Sequence, residues 1–284
     1  MSDLQAQRRF YAEEIQITAN LQSAALVAGL SVIPREQFLP PGPWTIRGEG
    51  DFQAPLRRTA DADPRHVYHN IAIGIDPARM LFNGAPGLVT IAIDALGLQP
   101  GERVLHLGTG LGYYTALIAH CVGETGRVLG IEADAELAAR SRENLAGSAW
   151  IEVREGDGAE ALDEAFDAIL LSAGVTHPLP AWLDALGHGG RMIAPITATM
   201  PGMATIGKGP MVLIANNGGE RWPARSTGFV AIYSAVGIRD ESINGLLGQA
   251  MTRLPFAPIK SLRRDEHERE ASCWMHAPGV CLSL

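Results

Sequence analysis

The sequence predicts a Rossmann-like α/β fold: a mostly parallel sheet with helices on both faces, an antiparallel C-terminal finish, an N-terminal cap and a C-terminal extension. Apolar runs of strand length alternate with stretches of helical spacing between residues 104 and 195, which is typical of a parallel sheet covered by helices. A turn with three glycines joins the first of these strands to its helix. Two β-rich runs with turn residues between them then close the sheet.

The N-terminal part is predicted to form a cap over the substrate. Apolar residues recur at helical spacing from Phe10 to Leu30, which predicts one helix, and the Pro-, Gly- and Arg-rich stretch 32–64 predicts a loop or lid. A strand over Tyr68–Ile75 and a helix over Pro86–Leu98 lead to the first core strand. We expect three regions, namely a cap and substrate region at 1–97, a nucleotide-binding domain at 98–236 and a C-terminal extension at 237–284.

The core elements follow in regular order. The predicted strands are Val104–Leu107, Arg127–Glu132, Trp150–Arg154, Phe166–Ser172 and Gly189–Pro195, and the helices are Thr115–His120, Ala135–Leu145 and Leu179–Leu186. The runs 209–215 and 228–236 predict the antiparallel finish, Asp240 heads a further helix, and Cys273–Leu284 is predicted to add an edge strand. The charged run Arg263–Arg269 is interpreted as a solvated face.

Composition excludes several classes of protein. The chain has 284 residues, 46% of them hydrophobic, and a net charge of −8, which argues against a dedicated nucleic-acid binder. The N-terminus carries charges where a signal peptide would be apolar, and no apolar run reaches membrane-spanning length, so we expect a soluble, cytoplasmic protein without a membrane partner. Cys121, Cys273 and Cys281 contain no C-x-x-C pair, which indicates neither a disulfide framework nor a metal site.

The glycine turn predicts the ligand. Gly108, Gly110 and Gly112 form G-x-G-x-G after a buried strand, whereas a dinucleotide turn has G-x-G-x-x-G and here Tyr113 holds the sixth position. The spacing therefore disfavours NAD. It is the pattern of class I methyltransferases, in which the loop surrounds the amino acid and ribose of S-adenosylmethionine, and we expect Thr109 to take part. Tyr113 either covers the methionine portion of the donor or packs the first helix.

Downstream residues agree with this interpretation. Glu132 ends the second strand about 20 residues further on, where a carboxylate can accept both ribose hydroxyls. Asp157 and Gly158 follow the third strand, where an acid can receive the adenine amino group. Ser172 ends the fourth strand at the same edge of the sheet. Together these residues predict one S-adenosylmethionine site.

In several segments the chain resembles the protein-L-isoaspartate O-methyltransferase family. The matching segments are 32–40, the glycine loop 104–113, Gly130-Ile131-Glu132, Glu155-Gly156-Asp157-Gly158, Phe166–Ile169 and Gly189-Gly190-Arg191. The resemblance implies a Rossmann-like methyltransferase that transfers a methyl group from S-adenosylmethionine to a carboxylate of a protein or peptide.

One segment departs from the family pattern. The family usually carries Thr-Ile-Ser-x-Pro before the helix that precedes the glycine loop, and its serine is thought to orient the substrate carboxylate. Here the segment reads Phe82-Asn83-Gly84-Ala85-Pro86, so Gly84 takes the serine's place and Asn83 is a candidate replacement donor. His69 and His177 are candidate donors to a carboxylate or, for a hydroxyl acceptor, candidate bases. His106 is interpreted as a buried strand residue.

Three functions are compatible with these residues. The first is methylation of an isoaspartyl-type carboxylate, which is ionised at neutral pH and requires no base. The second is methylation of a small metabolite or a biosynthetic peptide, which Gly84 and His177 favour. The third is a binding module that holds the donor without catalysis, against which the retained Glu132 and Gly-Asp-Gly argue.

Overall fold

A computed structural model describes residues 3–48, 55–160, 162–200 and 202–284. These residues form two compact units, Met1–Gly101 with Thr109–Glu155 and Glu102–Gly108 with Gly156–Leu284. The helices are α1 Asp3–Thr18, α2 Ala24–Val32, α3 Pro86–Leu96, α4 Tyr113–Val122, α5 Ala135–Leu145, α6 Pro180–Ala185 and α7 Glu241–Arg253. The strands are β1 Thr45–Arg47, β2 Arg57–Arg58, β3 Ala72–Asp76, β4 Leu81–Asn83, β5 Arg103–Leu107, β6 Arg127–Glu132, β7 Ile151–Glu155, β8 Phe166–Leu171, β9 Leu186–Pro195, β10 Ala198–Met200, β11 Met203–Ala215, β12 Arg221–Tyr233, β13 Ser261–Arg263, β14 Cys273–Ala277 and β15 Val280–Ser283.

The predicted N-terminal helix is wrong in one respect, because the structure has two helices there. Asn20 adopts a left-handed backbone conformation with φ 52°, which an asparagine tolerates and a continuing helix does not. Ser23 then caps α2, since its hydroxyl accepts a hydrogen bond from the Leu26 amide at 3.2 Å. A short polar segment therefore separates α1 from α2.

The first unit also contains a small antiparallel sheet in the order β2-β1-β3-β4. The predicted strand at 68–75 begins only at Ala72, because Pro64–Val67 forms a 3₁₀ helix that Asp63 caps. The segment 32–64, predicted as a loop, supplies a second 3₁₀ helix at Arg35–Phe38 and the strands β1 and β2; its residues 49–54 lie outside the described residues. Further along the unit, β6 and β7 run parallel, as predicted.

The second unit carries the rest of the predicted sheet. Strands β5, β8 and β9 are parallel neighbours, and their registers pair Val104 with Ala168 and Ile169 with Met192. From β9 onward the pairing becomes antiparallel, in the order β9-β11-β12-β13-β15-β14. The predicted edge strand at the C-terminus is a hairpin of two strands, β14 and β15.

Burial follows the apolar pattern of the sequence. The residues Ala168, Ile169 and Leu170 of β8 are at most 1% exposed, as expected for a strand covered on both faces. The Rossmann-like α/β class with an antiparallel finish is thus confirmed, while the division at residues 97 and 236 stays a prediction. Among the described helices, none is both long enough and apolar enough to cross a membrane.

Candidate functional site

The glycine loop leaves β5 and enters α4 through backbone conformations that favour glycine. Gly110 has φ 56° and Gly112, the residue that caps α4, has φ 93°. A Cβ at Gly112 would also lie 2.9 Å from Leu145 Cδ1 and 2.9 Å from Ser141 Oγ, both in α5. The third glycine of the motif therefore allows the first turn of α4 to pack closely against α5.

Glu132 at the end of β6 holds this loop. Its Oε2 accepts a hydrogen bond from the Gly110 amide at 2.7 Å, and its Oε1 accepts one from the Asp134 amide at 3.1 Å. Burial raises the pKa of Glu132, and these backbone hydrogen bonds oppose the rise. Because each carboxylate oxygen has two lone pairs, both oxygens keep capacity to accept a hydroxyl from a ligand.

Thr109 precedes Gly110 in the loop and has a hydroxyl that finds no partner among the described residues. The residue is 4% exposed, and its Oγ1 is buried without a hydrogen-bond partner among the described residues. Its methyl group fills the space above Gly130, where an added Cβ would come within 2.5 Å of Thr109 Cγ2. A buried hydroxyl without a partner is uncommon, and here it marks the loop as a place where a polar ligand fits.

The Tyr113 side chain is used for packing. The ring is fully buried, meets Phe38 and Tyr114 edge-to-face, and its hydroxyl lies 3.4 Å from that of Tyr11. Burial raises the pKa of Tyr113 well above its ordinary value, so the phenol stays protonated. Of the two roles considered for this residue, the geometry favours packing of the cap against α4.

Ser172 and His106 form a pair at the ends of β8 and β5. The Ser172 amide donates to the Leu107 carbonyl at 2.8 Å, and its Oγ lies 2.8 Å from His106 Nε2. Burial lowers the pKa of His106 to about 3, so the imidazole is neutral at neutral pH. The prediction that His106 occupies a buried strand position is confirmed, since the residue is 0% exposed.

The Gly-Asp-Gly turn is held by a residue that sequence reasoning missed. Trp182 of α6 is fully buried and donates from its indole nitrogen to the Gly158 carbonyl at 2.7 Å. Asp157 is exposed and accepts a hydrogen bond from the Ala159 amide at 2.9 Å. A tryptophan in a short helix gives no sequence signal for this role, whereas the acid of the turn was predictable.

His177 follows Ser172 in the same unit. Its Nδ1 lies 3.0 Å from the Thr176 hydroxyl, which accepts a hydrogen bond from the Asp240 amide at 3.1 Å. Burial lowers the pKa of His177, and the charge of Asp240 partly opposes the shift. The ring is therefore neutral at neutral pH, which is the state a general base requires.

Arg35 organises the segment that carries Asn83 and His69. Its guanidinium is fully buried and donates to Asn83 Oδ1 at 3.2 Å and to the His69 carbonyl at 3.2 Å. It also donates to the carbonyls of Val67, Ile71 and Gly84. Arg35 lies in segment 32–40, one of the segments that carry the family resemblance, but its role as the centre of this network was not predicted.

The candidate catalytic residues of this segment differ in their surroundings. Asn83 is 5% exposed and its oxygen is held by Arg35, whereas the side chain of His69 is exposed. Tyr114, which sequence reasoning did not select, donates to the Gly84 carbonyl at 2.5 Å and so ties this segment to the first turn of α4. Asn83 and Gly84 are therefore positioned beside the glycine loop's helix, and His69 contributes only its backbone to the network.

Comparison with known proteins gives a consistent result. The family model described as protein-L-isoaspartate(D-aspartate) O-methyltransferase matches residues 59–209, a little over half of the chain. The protein-L-isoaspartate O-methyltransferase of Methylorubrum populi is 31% identical over 227 residues, which cover 78% of this chain and 92% of that protein. In two further relatives of the same name, the matched part makes up 64% and 54% of their own length.

Solved structures are similar in fold. A protein-L-isoaspartate O-methyltransferase superposes with a TM-score of 0.65 at 22% identity, covering 86% of this chain and 69% of that one. A protein described as a putative protein-L-isoaspartate O-methyltransferase from Plasmodium falciparum, in complex with S-adenosyl-L-homocysteine, has a TM-score of 0.59 at 15% identity and covers 80% and 97%. At these identities the two structures support the Rossmann-like fold.

Proposed function

Because the chain belongs to the protein-L-isoaspartate(D-aspartate) O-methyltransferase family, we propose that it transfers a methyl group from S-adenosylmethionine to a carboxylate of a protein or peptide. The observation that carries the proposal is the hydrogen bond between the glycine loop and its acid. The Gly110 amide donates to Glu132 Oε2 at 2.7 Å. The Thr109 hydroxyl, which has no hydrogen-bond partner in the described part of the chain, lies in the same loop.

The residues present fit this donor. Glu132 has spare lone pairs for two ribose hydroxyls, and Thr109 Oγ1 is a buried polar atom in need of a partner. We assign Gly108, Gly110 and Gly112 to the loop around the amino acid and ribose, Asp157 and Gly158 to the adenine, and Ser172 to the edge of the site. The bound donor would supply an electrophilic methyl group on a sulfonium. When an oxygen takes this methyl group, the sulfur is left as a neutral thioether.

The chain's residues then have two tasks. A carboxylate acceptor already carries the attacking electron pair, so the protein must position it in line with the methyl group and exclude water, and no proton is moved. Asn83, whose Oδ1 accepts a hydrogen bond from the buried Arg35, is our candidate for orienting such a carboxylate. If the acceptor is a carboxylate, His177 and His69 serve as hydrogen-bond donors or as structural residues.

A second function is favoured by one specific observation. At Gly84, where the family has a serine, an added Cβ would lie 3.0 Å from Val89 Cγ2, so the space for a serine side chain is partly filled. The serine hydroxyl of the family pattern is therefore missing, and our second candidate is a hydroxyl acceptor in a small metabolite or biosynthetic peptide, for which the neutral His177 would serve as the base.

One assay distinguishes the two functions. The protein is incubated with methyl-labelled S-adenosylmethionine and a peptide that contains one isoaspartyl residue, with the same peptide containing ordinary aspartate as the matched control. We expect base-labile label in the isoaspartyl peptide alone. A chain that binds S-adenosylhomocysteine by calorimetry but labels neither peptide would contradict the first function.

The His177→Gln variant reports on the acceptor chemistry. A carboxylate acceptor needs no base, so the variant should keep turnover within a few-fold of the parent. For a hydroxyl acceptor, loss of a general base should lower kcat by about 10²- to 10⁴-fold. His188→Gln, which changes an exposed histidine of β9, is the control for the substitution itself.

A further inference from the structure

Four side chains with soft nitrogen and sulfur atoms meet in the C-terminal part of the second unit. The cluster consists of His267, Cys273, His276 and Cys281, and one ligand atom from each lies within 4.8 Å of all the others. Both cysteines are at most 3% exposed, and the His267 side chain is 9% exposed. We call this set the His/Cys cluster, and neither the methyl donor nor the acceptor proposed above requires it.

The fold brings these residues together from three segments. His276 on β14 pairs directly with Cys281 on β15. Cys273 and His276 are three residues apart, which on a regular strand would place them on opposite faces, but the register shifts between Cys273 and Met275. This irregularity allows both side chains to face the same cluster.

The loop before β14 delivers the fourth residue. Arg263 forms ion pairs with Asp265 at 2.6 Å and with Glu270 at 3.1 Å, and these pairs hold the loop on either side of His267. The charged run Arg263–Arg269 was interpreted as a solvated face, yet it turns His267 inward. The Cys273 amide donates to the Glu270 carbonyl at 3.0 Å and closes the loop.

The ligand atoms have the hydrogen-bonding state that a metal site requires. His267 Nδ1 lies 2.9 Å from the Asp265 carbonyl, so this nitrogen carries the proton and the Nε2 lone pair points at Cys273 Sγ, 3.6 Å away. His276 Nδ1 is buried without a hydrogen-bond partner among the described residues. The Glu270 amide donates to Cys273 Sγ at 3.3 Å, a contact that favours a thiolate.

We propose that the His/Cys cluster is a structural zinc site with two histidine and two cysteine ligands. In a tetrahedral zinc site, bond lengths of 2.0–2.3 Å place neighbouring ligand atoms about 3.3–3.8 Å apart. The His267–Cys273 separation of 3.6 Å already lies in this range. Two thiolates would balance the charge of Zn²⁺, and four protein ligands leave no open position, so the site is structural and not catalytic.

The sequence argument against a metal site was incomplete. It rested on the absence of a C-x-x-C pair, but the ligands here follow the order His-x5-Cys-x2-His-x4-Cys and mix a loop with both strands of a hairpin. Only the register of β14 against β15 reveals that His276 and Cys281 are neighbours.

Metal content of the purified full chain tests the proposal. The chain is prepared without a histidine tag and under reducing conditions, and its zinc is measured by mass spectrometry of the element. We expect one zinc ion per chain. Chelated protein reloaded with Co²⁺ should show the visible absorption of a tetrahedral ion together with thiolate-to-cobalt charge transfer.

Matched variants locate the ion. Cys273→Ser removes a ligand and should weaken zinc binding by more than the ~10- to 100-fold typical of an outer-shell change. Cys121→Ser removes the third buried cysteine, which lies in α4 outside the cluster, and should keep the ion. Cys281→His keeps four possible ligands and should also retain the ion. It is therefore the conservative control for the loss of metal that we expect in a folded Cys273→Ser chain.

Three results would overturn the proposal. One is a wild-type chain that contains no zinc and binds no Co²⁺. This test does not depend on the folding of any variant. Another is a folded Cys273→Ser chain with as much zinc as Cys121→Ser. The third is a wild-type chain in which Cys273 and Cys281 are joined as a disulfide after reductive preparation.

Discussion

Burial determines the ionisation state of His106. The residue is enclosed in β5, and burial lowers its pKa from 6.5 to about 3. In the unfolded chain, His106 therefore binds a proton below about pH 6.5. In the folded chain it binds this proton only below about pH 3. Because the free energy of unfolding rises with pH wherever the unfolded state binds more protons, this buried neutral histidine makes the fold progressively less stable as the pH falls from about 6.5 toward 3.

We predict that urea unfolding will show this loss. Between about pH 7 and about pH 5, the free energy of unfolding of the wild type should decrease by ~2 kcal/mol through His106 alone. His106→Gln, which keeps a polar partner for Ser172, should remove that part of the pH dependence whatever its effect on stability at neutral pH. His188→Gln, at an exposed position, should leave the slope unchanged; equal slopes in wild type and His106→Gln would refute the argument.

Residues differ in how far the sequence could predict them. His106 was assigned to a buried position because it lies within an apolar strand, and Glu132 was selected because a strand ends there. Arg35 and Trp182 were not assigned their roles, since their partners are carbonyl groups far away in the chain, such as Ile71 and Gly158. A side chain that binds distant backbone leaves no local pattern.

At the scale of the element, the turn into α4 depends on Gly112. Its φ of 93° strains any residue with a Cβ, and that Cβ would lie 2.9 Å from Leu145 and Ser141 of α5. Gly123 at the other end of α4 has φ 67°, and no heavy atom of the described residues lies within 4 Å of an added Cβ. The two glycines therefore share backbone strain but differ in packing.

We predict that alanine at these two positions will separate strain from crowding. Gly123→Ala should cost about 1–3 kcal/mol of unfolding free energy through its backbone conformation alone, because φ 67° with ψ −179° is a region that essentially only glycine adopts. Gly112→Ala should cost a further 1–3 kcal/mol, roughly, because the side chain overpacks against α5. Calorimetry should show weaker binding of S-adenosylhomocysteine in Gly112→Ala only; similar affinities in both variants would mean that the loop tolerates displacement of α4.

Elements with strong local signals were predicted well. The strands β5, β6 and β8 and the helices α3 and α5 lie within a residue or two of their expected bounds, because each combines an apolar period with a cap or a turn. The break between α1 and α2 was missed because the helical spacing of apolar residues continues on both sides of it. Asn20 and Ser23 mark the break, but their effect on the backbone was not recognised. The His/Cys cluster was missed for a different reason, since strand pairing and not sequence spacing creates it.

At the scale of the whole molecule, the glycine and acid motifs each follow a strand that the sequence predicts for a parallel sheet, and such sheets bind ligands at the carboxyl ends of their strands. The order of those motifs along the chain was sufficient to predict the fold class and the donor. The acceptor is a different matter, because Gly84 departs from the family pattern and the order of elements carries no information about it.

Donor binding should therefore be visible in the stability of the entire chain. A ligand that binds only the folded state at 100 times its Kd adds about 2.7 kcal/mol, which should raise Tm by several degrees. We expect this shift with S-adenosylhomocysteine and none with NAD, measured by calorimetry.

Glu132→Gln removes the charge on the group that accepts a hydrogen bond from the Gly110 amide. It should weaken ligand binding by about 10- to 100-fold, which makes the Tm shift smaller at the same ligand concentration. Glu136→Gln, an exposed acid in the first turn of α5, should keep the full shift. A shift with NAD, or an undiminished shift in Glu132→Gln, would contradict the assignment of this loop to the adenosyl donor.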